Sequence, residues 1–119
     1  MAKELLNNLV KQLHDAYDKE IVLKRDELGE KYEDFIDALD ALYVNAIDSV
    51  VEAMLDKKVY SEFDPDVGDY VDVRDFETDE ILFSIKISPL ITNKEIIYRP
   101  LRDVVKDTVE AIKGYKSTQ

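Results

Sequence analysis

Between residues 62 and 80 the chain reads EFDPDVGDYVDVRDFETDE, nine carboxylates and one arginine in nineteen positions. Carboxylates at this density ligate a hard cation, act as general acids and bases, or form a surface that meets positive charge. Asp64, Asp66, Asp72 and Asp75 fall at positions one, three, nine and twelve of an EF-hand-like count, the oxygen-donor spacing that wraps calcium. The count fails elsewhere. Position five is Gly68, position six carries Asp69 instead of the turn glycine, and position twelve is Asp75 where a bidentate Glu belongs. Pro65 at position two adds strain, and alternating residues follow where the motif wants a helix. The stretch therefore reads as a contact surface, with no metal and no cofactor expected.

A second acidic set is Glu30, Glu33, Asp34, Asp37 and Asp40, spaced by three and four so that much of it shares one side of a helix. Like charges at these spacings oppose helix formation by a few tenths of a kcal/mol per pair, a cost that suggests a use. The wider stretch DELGEKYEDFIDALDAL, residues 26 to 42, resembles the helical nucleotide pyrophosphohydrolases of the MazG type, whose EExxE and ExxD elements hold Mg²⁺ against a triphosphate. Asp26, Glu27 and Glu30 match the first element, with Asp in place of its first Glu, and Asp37 and Asp40 imitate the second. Here both elements lie in one helical pattern, so the second cannot fold back to face the first, and Lys31 is the only base within the stretch for phosphates.

Other chemistry lacks its parts. The chain has no cysteine, so disulfides, thiolate catalysis and cysteine-ligated zinc are excluded. His14 is the only histidine and has no second histidine to share a metal or a proton relay. The three glycines are isolated and form no phosphate-cradling loop. No catalytic residue is assigned, and the expectation is a protein that is not an enzyme.

The charge balance then decides the kind of partner. With 27 Asp and Glu against 16 Lys and Arg the net charge is −11, so the molecule repels nucleic acid and anionic membranes and attracts basic surfaces. Residues 27 to 56 hold nine acids against Lys31, residues 62 to 80 nine acids against Arg74, and residues 81 to 119 seven bases against four acids. The expected partner surface comprises Glu30, Glu33, Asp34, Asp37, Asp40, Asp64, Asp66, Asp69, Asp72 and Asp75. Duplex DNA carries one charge per about 1.7 Å of axis, whereas the long helix alone offers one per roughly 5 to 6 Å. Mimicry of DNA would need both acidic segments on one face. In size and charge the chain is similar to small acidic phage proteins that block restriction or CRISPR enzymes, and that resemblance implies an inhibitor seated on the basic nucleic-acid-binding surface of a host enzyme. The alternative is a self-assembling structural or accessory protein that pairs acidic helix to basic helix, through Arg99, Arg102, Lys106 and Lys113. A Mg²⁺-dependent pyrophosphohydrolase ranks third.

The elements that must position these groups form one α+β domain over residues 1–119. Leu5, Leu9, Leu13, Ala16, Tyr17 and Ile21 keep helical spacing and predict a helix from residue 3 to about 23. Leu28, Tyr32, Phe35, Leu39, Leu42 and Ala46 predict a second over residues 27 to 56, packed on the first as an antiparallel hairpin turning near Lys24 to Asp26. One kinked helix is the other possibility. Val71 and Val73, then Ile81 to Ile87, then KEIIYR at 94 to 99 alternate as three strands of an antiparallel meander. Leu101, Val105, Val109 and Ile112 predict a third helix that starts after Pro100 and ends at Gly114. No run reaches the 18 or so apolar residues of a membrane span, and acids interrupt the first twenty residues, so a cytoplasmic protein is expected.

Overall fold

The computed structural model describes Lys11 and residues 14–63, 70–87 and 89–118. Strand β1 (Ile21–Lys24) leads into a short helix α1 (Arg25–Leu28), a 3-10 turn (Gly29–Lys31) and the long helix α2 (Tyr32–Leu55). Strands β2 (Val59–Glu62), β3 (Tyr70–Asp75), β4 (Ile81–Lys86), β5 (Leu90–Ile91) and β6 (Glu95–Tyr98) follow, and helix α3 (Leu101–Ser117) ends the chain. The strands make two three-stranded antiparallel sheets, ordered β1-β6-β5 and β2-β3-β4.

Helix α2 follows from its apolar spacing. Phe35, Ile36, Leu39, Tyr43, Ile47 and Val51 recur at three and four residues, and all are buried. Leu39, Tyr43, Ile47 and Val51 are fully inaccessible, each contributing about 1.5–3 kcal/mol through burial of its side chain. The helix stops at Asp56, whose left-handed backbone returns its N–H to the carbonyl of Glu52. At the other end Gly29, at φ +53°, separates α1 from α2, a conformation that glycine adopts without steric cost.

The expected N-terminal hairpin of two long helices is overturned. Ten of residues 3 to 23 lie outside the described residues; of the rest, Lys11, His14 and Asp15 are helical, a turn follows, and the last part is strand β1, which pairs Ile21 with Tyr98 and Leu23 with Ile96. Ile21 and Leu23 point inward while Val22 and Lys24 point out, so this stretch has the period of two that a sheet imposes. Just before it, the carbonyls of Ala16 and Tyr17 accept the N–H groups of Leu101 and Arg102 at 2.6 and 3.0 Å. These contacts satisfy donors that every helix start leaves open, and they join the entering chain to α3.

The single meander is overturned too. β3 and β4 pair as expected, but residues 95–98 leave that sheet and pair with β1 and β5. Pro89 lies between β4 and β5, where a residue without an N–H cannot extend the ladder. The place beside β3 is taken by β2, a strand not anticipated, with Val59 and Ser61 facing inward. The third helix starts where expected and runs past Gly114 to Ser117.

Both sheets meet at α2. Tyr98 of the first sheet reaches Asp40 and stacks on Tyr43 with ring centroids 5.5 Å apart. Ser61 and Val59 of the second reach Asp48 and Glu52, farther along the same helix.

Candidate functional site

The acidic stretch of the α1–α2 region begins where β1 turns into α1. Asp26 and Glu27 occupy the first turn of α1, Glu30 lies in the 3-10 turn, and Glu33, Asp34 and Asp37 lie on the first two turns of α2. All six are exposed. Acids at a helix start are favoured by the positive end of the helix dipole, which explains how four of them are tolerated at adjacent helix starts. Two of them have an exposed ion-pair partner: Lys24 lies 3.9 Å from Glu27 and Lys31 lies 3.8 Å from Asp34. Such pairs contribute about 0–1 kcal/mol and neutralise little. Asp26, Glu30, Glu33 and Asp37 have no ion-pair partner among the described residues. Beside them a cleft of about 280 Å³ is lined by Lys24, Asp26, Glu27, Lys94 and Glu95.

Gly29 breaks the axis between α1 and α2, and six acids fall in the twelve residues from Asp26 to Asp37 that span this break. That is one acid for every two residues, against nine acids in the thirty residues 27 to 56. The concentration at one end was hidden by counting over residues 27 to 56.

Not all ten residues expected at the partner surface are available to a partner. Glu30, Glu33, Asp34 and Asp37 are. Asp40 is half-buried and accepts the phenolic O–H of Tyr98 at 2.6 Å. Burial, followed by the bond to Asp40, pushes the Tyr98 phenol far above its usual range. The neighbouring Tyr43 phenol is raised as well, chiefly by burial, and donates to the carbonyl of Arg99. Asp72 accepts from Ser84 Oγ at 2.7 Å across the β3–β4 pair. Asp64, Asp66 and Asp69 lie outside the described residues.

Asp75 organises the β3–β4 turn. Its Oδ1 accepts the N–H groups of Glu77 and Thr78 at 2.8 and 3.2 Å, and its Oδ2 lies 3.2 Å from Lys57 Nζ. Those two N–H groups and then Lys57 hold its carboxyl below the usual carboxylate range. Lys57 in turn is held above its usual value by the hydrogen bond and charge of Asp75. In the calcium count Asp75 was the twelfth ligand; its oxygens are instead engaged by the turn and the lysine.

Among the described residues no group of three or more His, Asp and Glu is arranged to hold a metal ion. The acids that imitate the pyrophosphohydrolase elements are divided: Asp26, Glu27, Glu30 and Asp37 face solvent, and Asp40 is held by Tyr98. His14 is exposed. No helix is long and apolar enough to cross a membrane, among the described residues.

The basic residues of the C-terminal third are also divided. Arg99 pairs with Asp107 at 2.9 Å and donates to the carbonyl of Lys86 at 3.2 Å. Arg102, Lys106, Lys113 and Lys116 are exposed along α3. Sequence reasoning missed Asp48, Ser61 and Tyr98; the spacing of Asp48 and Glu52 by one helical turn was the available sign. Comparison of the chain with protein-family models, with curated proteins and with solved structures gave no match.

Proposed function

We propose that the protein acts by binding, using the exposed acids of α1 and α2 to dock on the basic surface of a protein partner. The observation that carries this reading is that Asp26, Glu27, Glu30, Glu33, Asp34 and Asp37 are all exposed within twelve residues of chain. Acids bonded inside the fold need no partner, and these six have little to neutralise them. A nucleic-acid enzyme is the favoured class of partner, because its substrate channel is built to meet closely spaced negative charge. Occupation of that channel would inhibit it.

The test is capture from a nuclease-treated lysate at low salt, with elution by rising salt, comparing the protein with a variant carrying Glu30→Gln, Glu33→Gln, Asp34→Asn and Asp37→Asn. A nucleic-acid enzyme retained by the first and lost by the second supports the reading, and inhibition of that enzyme is the next assay. Equal capture by both would discard the acidic face as the interface.

Self-assembly is the second reading, favoured by the exposed Arg102, Lys106, Lys113 and Lys116 on α3, which offer opposite charge to the acidic face of another copy. Light scattering decides it: a mass that falls from oligomer to monomer as salt rises supports it, and a monomer at low and high salt removes it.

A further inference from the structure

Two carboxylates near the end of α2 hold strand β2. Asp48 Oδ1 accepts from Ser61 Oγ at 2.5 Å, and one helical turn later Glu52 Oε1 accepts the backbone N–H of Val59 at 3.2 Å. Ser61 is buried and Asp48 half-buried. β2 is an edge strand, with β3 as its one neighbour in the sheet, and these hydrogen bonds join the buried side chain of Val59 in attaching it to the helix. An edge strand depends on such attachments to stay closed.

The charges around Asp48 are one-sided. Its own helix contributes Glu52, a like charge. From β2 it meets Ser61, whose opposite residue on β3 is Val73. The cations of the neighbouring elements are occupied or turned outward: Lys57 is paired with Asp75, Arg74 with Glu62, and Arg99 with Asp107, while Lys86, Lys106 and Lys113 are exposed. Asp48 has no cationic partner among the described residues.

We propose that Asp48 and Glu52 form with β2 a proton-operated latch, tight when Asp48 is neutral and looser when it is ionised. The chemistry of the contact allows both states. A hydroxyl both donates and accepts, so Ser61 keeps a hydrogen bond to Asp48 in either protonation state. What changes is the cost of a desolvated charge beside Glu52, which vanishes when the proton arrives. Burial raises the Asp48 carboxyl above its usual range, the side-chain and backbone hydrogen bonds of Ser61 pull it partly back, and the charge of Glu52 adds a smaller push upward. The folded protein therefore binds this proton more tightly than the unfolded chain does. The seam gains stability as pH falls from neutral through the raised value, and the gain levels off below the ordinary carboxylate range near about 4.

Carboxyl-carbon NMR titration together with amide exchange tests the latch in the full chain. Asp48 is expected to titrate above the ordinary carboxylate range near about 4, with the amide signals of Val59 and Ser61 shifting at the same midpoint. Protection of the β2 amides, after correction for intrinsic exchange, should rise across that midpoint by up to about tenfold for each pH unit of displacement. Asp48→Asn should hold the protected state at every pH. Glu52→Gln keeps an acceptor for Val59 and should lower the Asp48 midpoint, which provides a second variant. Titration of Asp48 within or below the ordinary carboxylate range near about 4, or the same pH dependence of β2 protection in Asp48→Asn as in the unaltered protein, would overturn the proposal.

Discussion

Glu33, Asp34 and Asp37, on the first two turns of α2, are exposed, whereas Asp40, Asp48 and Glu52 farther along the same helix each accept a hydrogen bond from a strand or its side chain. The residue types and the three-to-four spacing are alike in the two regions. The difference lies in what stands opposite: Tyr98, Ser61 and the N–H of Val59 bring donors to the second region, and the acids of the first have only the exposed Lys31, paired with Asp34. Where a strand presents a donor, an acid becomes part of the fold. Where none does, its charge is left for something outside the molecule.

The widest gap between the regions is expected from single truncations. Asp40→Ala leaves the fully buried Tyr98 hydroxyl without its acceptor, and an unsatisfied buried donor costs about 1–3 kcal/mol. Asp37→Ala, one turn earlier and exposed, should stay within about 0.5 kcal/mol. Urea unfolding of the two variants measures this directly. Equal losses would show that Asp37 also has a role within the fold and would weaken the case for a free acidic face.

Much of this was readable from sequence, for reasons that differ by element. The apolar steps of α2 and α3, and the alternation of Val71, Val73 and Ile85, each repeat often enough to declare a period. β1 does not: Ile21 continues the four-residue step from Leu13 and Tyr17, and four residues supply just two inward positions against that signal. β2 was hidden because its second inward residue is Ser61, polar by type and useful because it binds Asp48. The division into two sheets is non-local, since β1 and β6 meet across most of the chain. The acidic face was legible as composition, but the removal of Asp40 from it depends on Tyr98, 58 positions away, and no local pattern records such a partner.

Asp75 extends the comparison to the other acidic segment. Held by two turn N–H groups and Lys57, its carboxyl titrates below the usual range, so its stabilising contribution is present above the ordinary carboxylate value near about 4 and is lost as pH falls through its depressed one. Asp75→Ala should therefore lower Tm at neutral pH, with the gap to the unaltered protein closing in acid. Asp48 has the opposite sign, so Asp48→Asn should raise Tm at neutral pH and lose that advantage in acid. Melting curves of both variants from pH 7 to pH 2 read the two slopes. A gap for Asp75→Ala that persists undiminished at the lowest pH would mean that the turn depends on the side chain's shape and not on its charge.

The smallest effect belongs to the acidic face itself. Neutralising Glu30, Glu33, Asp34 and Asp37 together removes seven like-charge pairs at three- and four-residue spacing, four among themselves and three with Asp26, Glu27 and Asp40, each unfavourable by about 0.2–0.5 kcal/mol. It also removes the favourable charge of Glu33 and Asp34 at the helix start, about 0.3–1 kcal/mol each, and the exposed contact of Asp34 with Lys31. The opposing contributions are of similar size, so the fourfold variant should unfold within about 1 kcal/mol of the parent. Near-neutral stability is also the condition that makes its binding informative: a variant that folds equally well but releases its partner loses affinity through charge. A large loss of stability would instead give these acids a role inside the molecule and join the first region to the second.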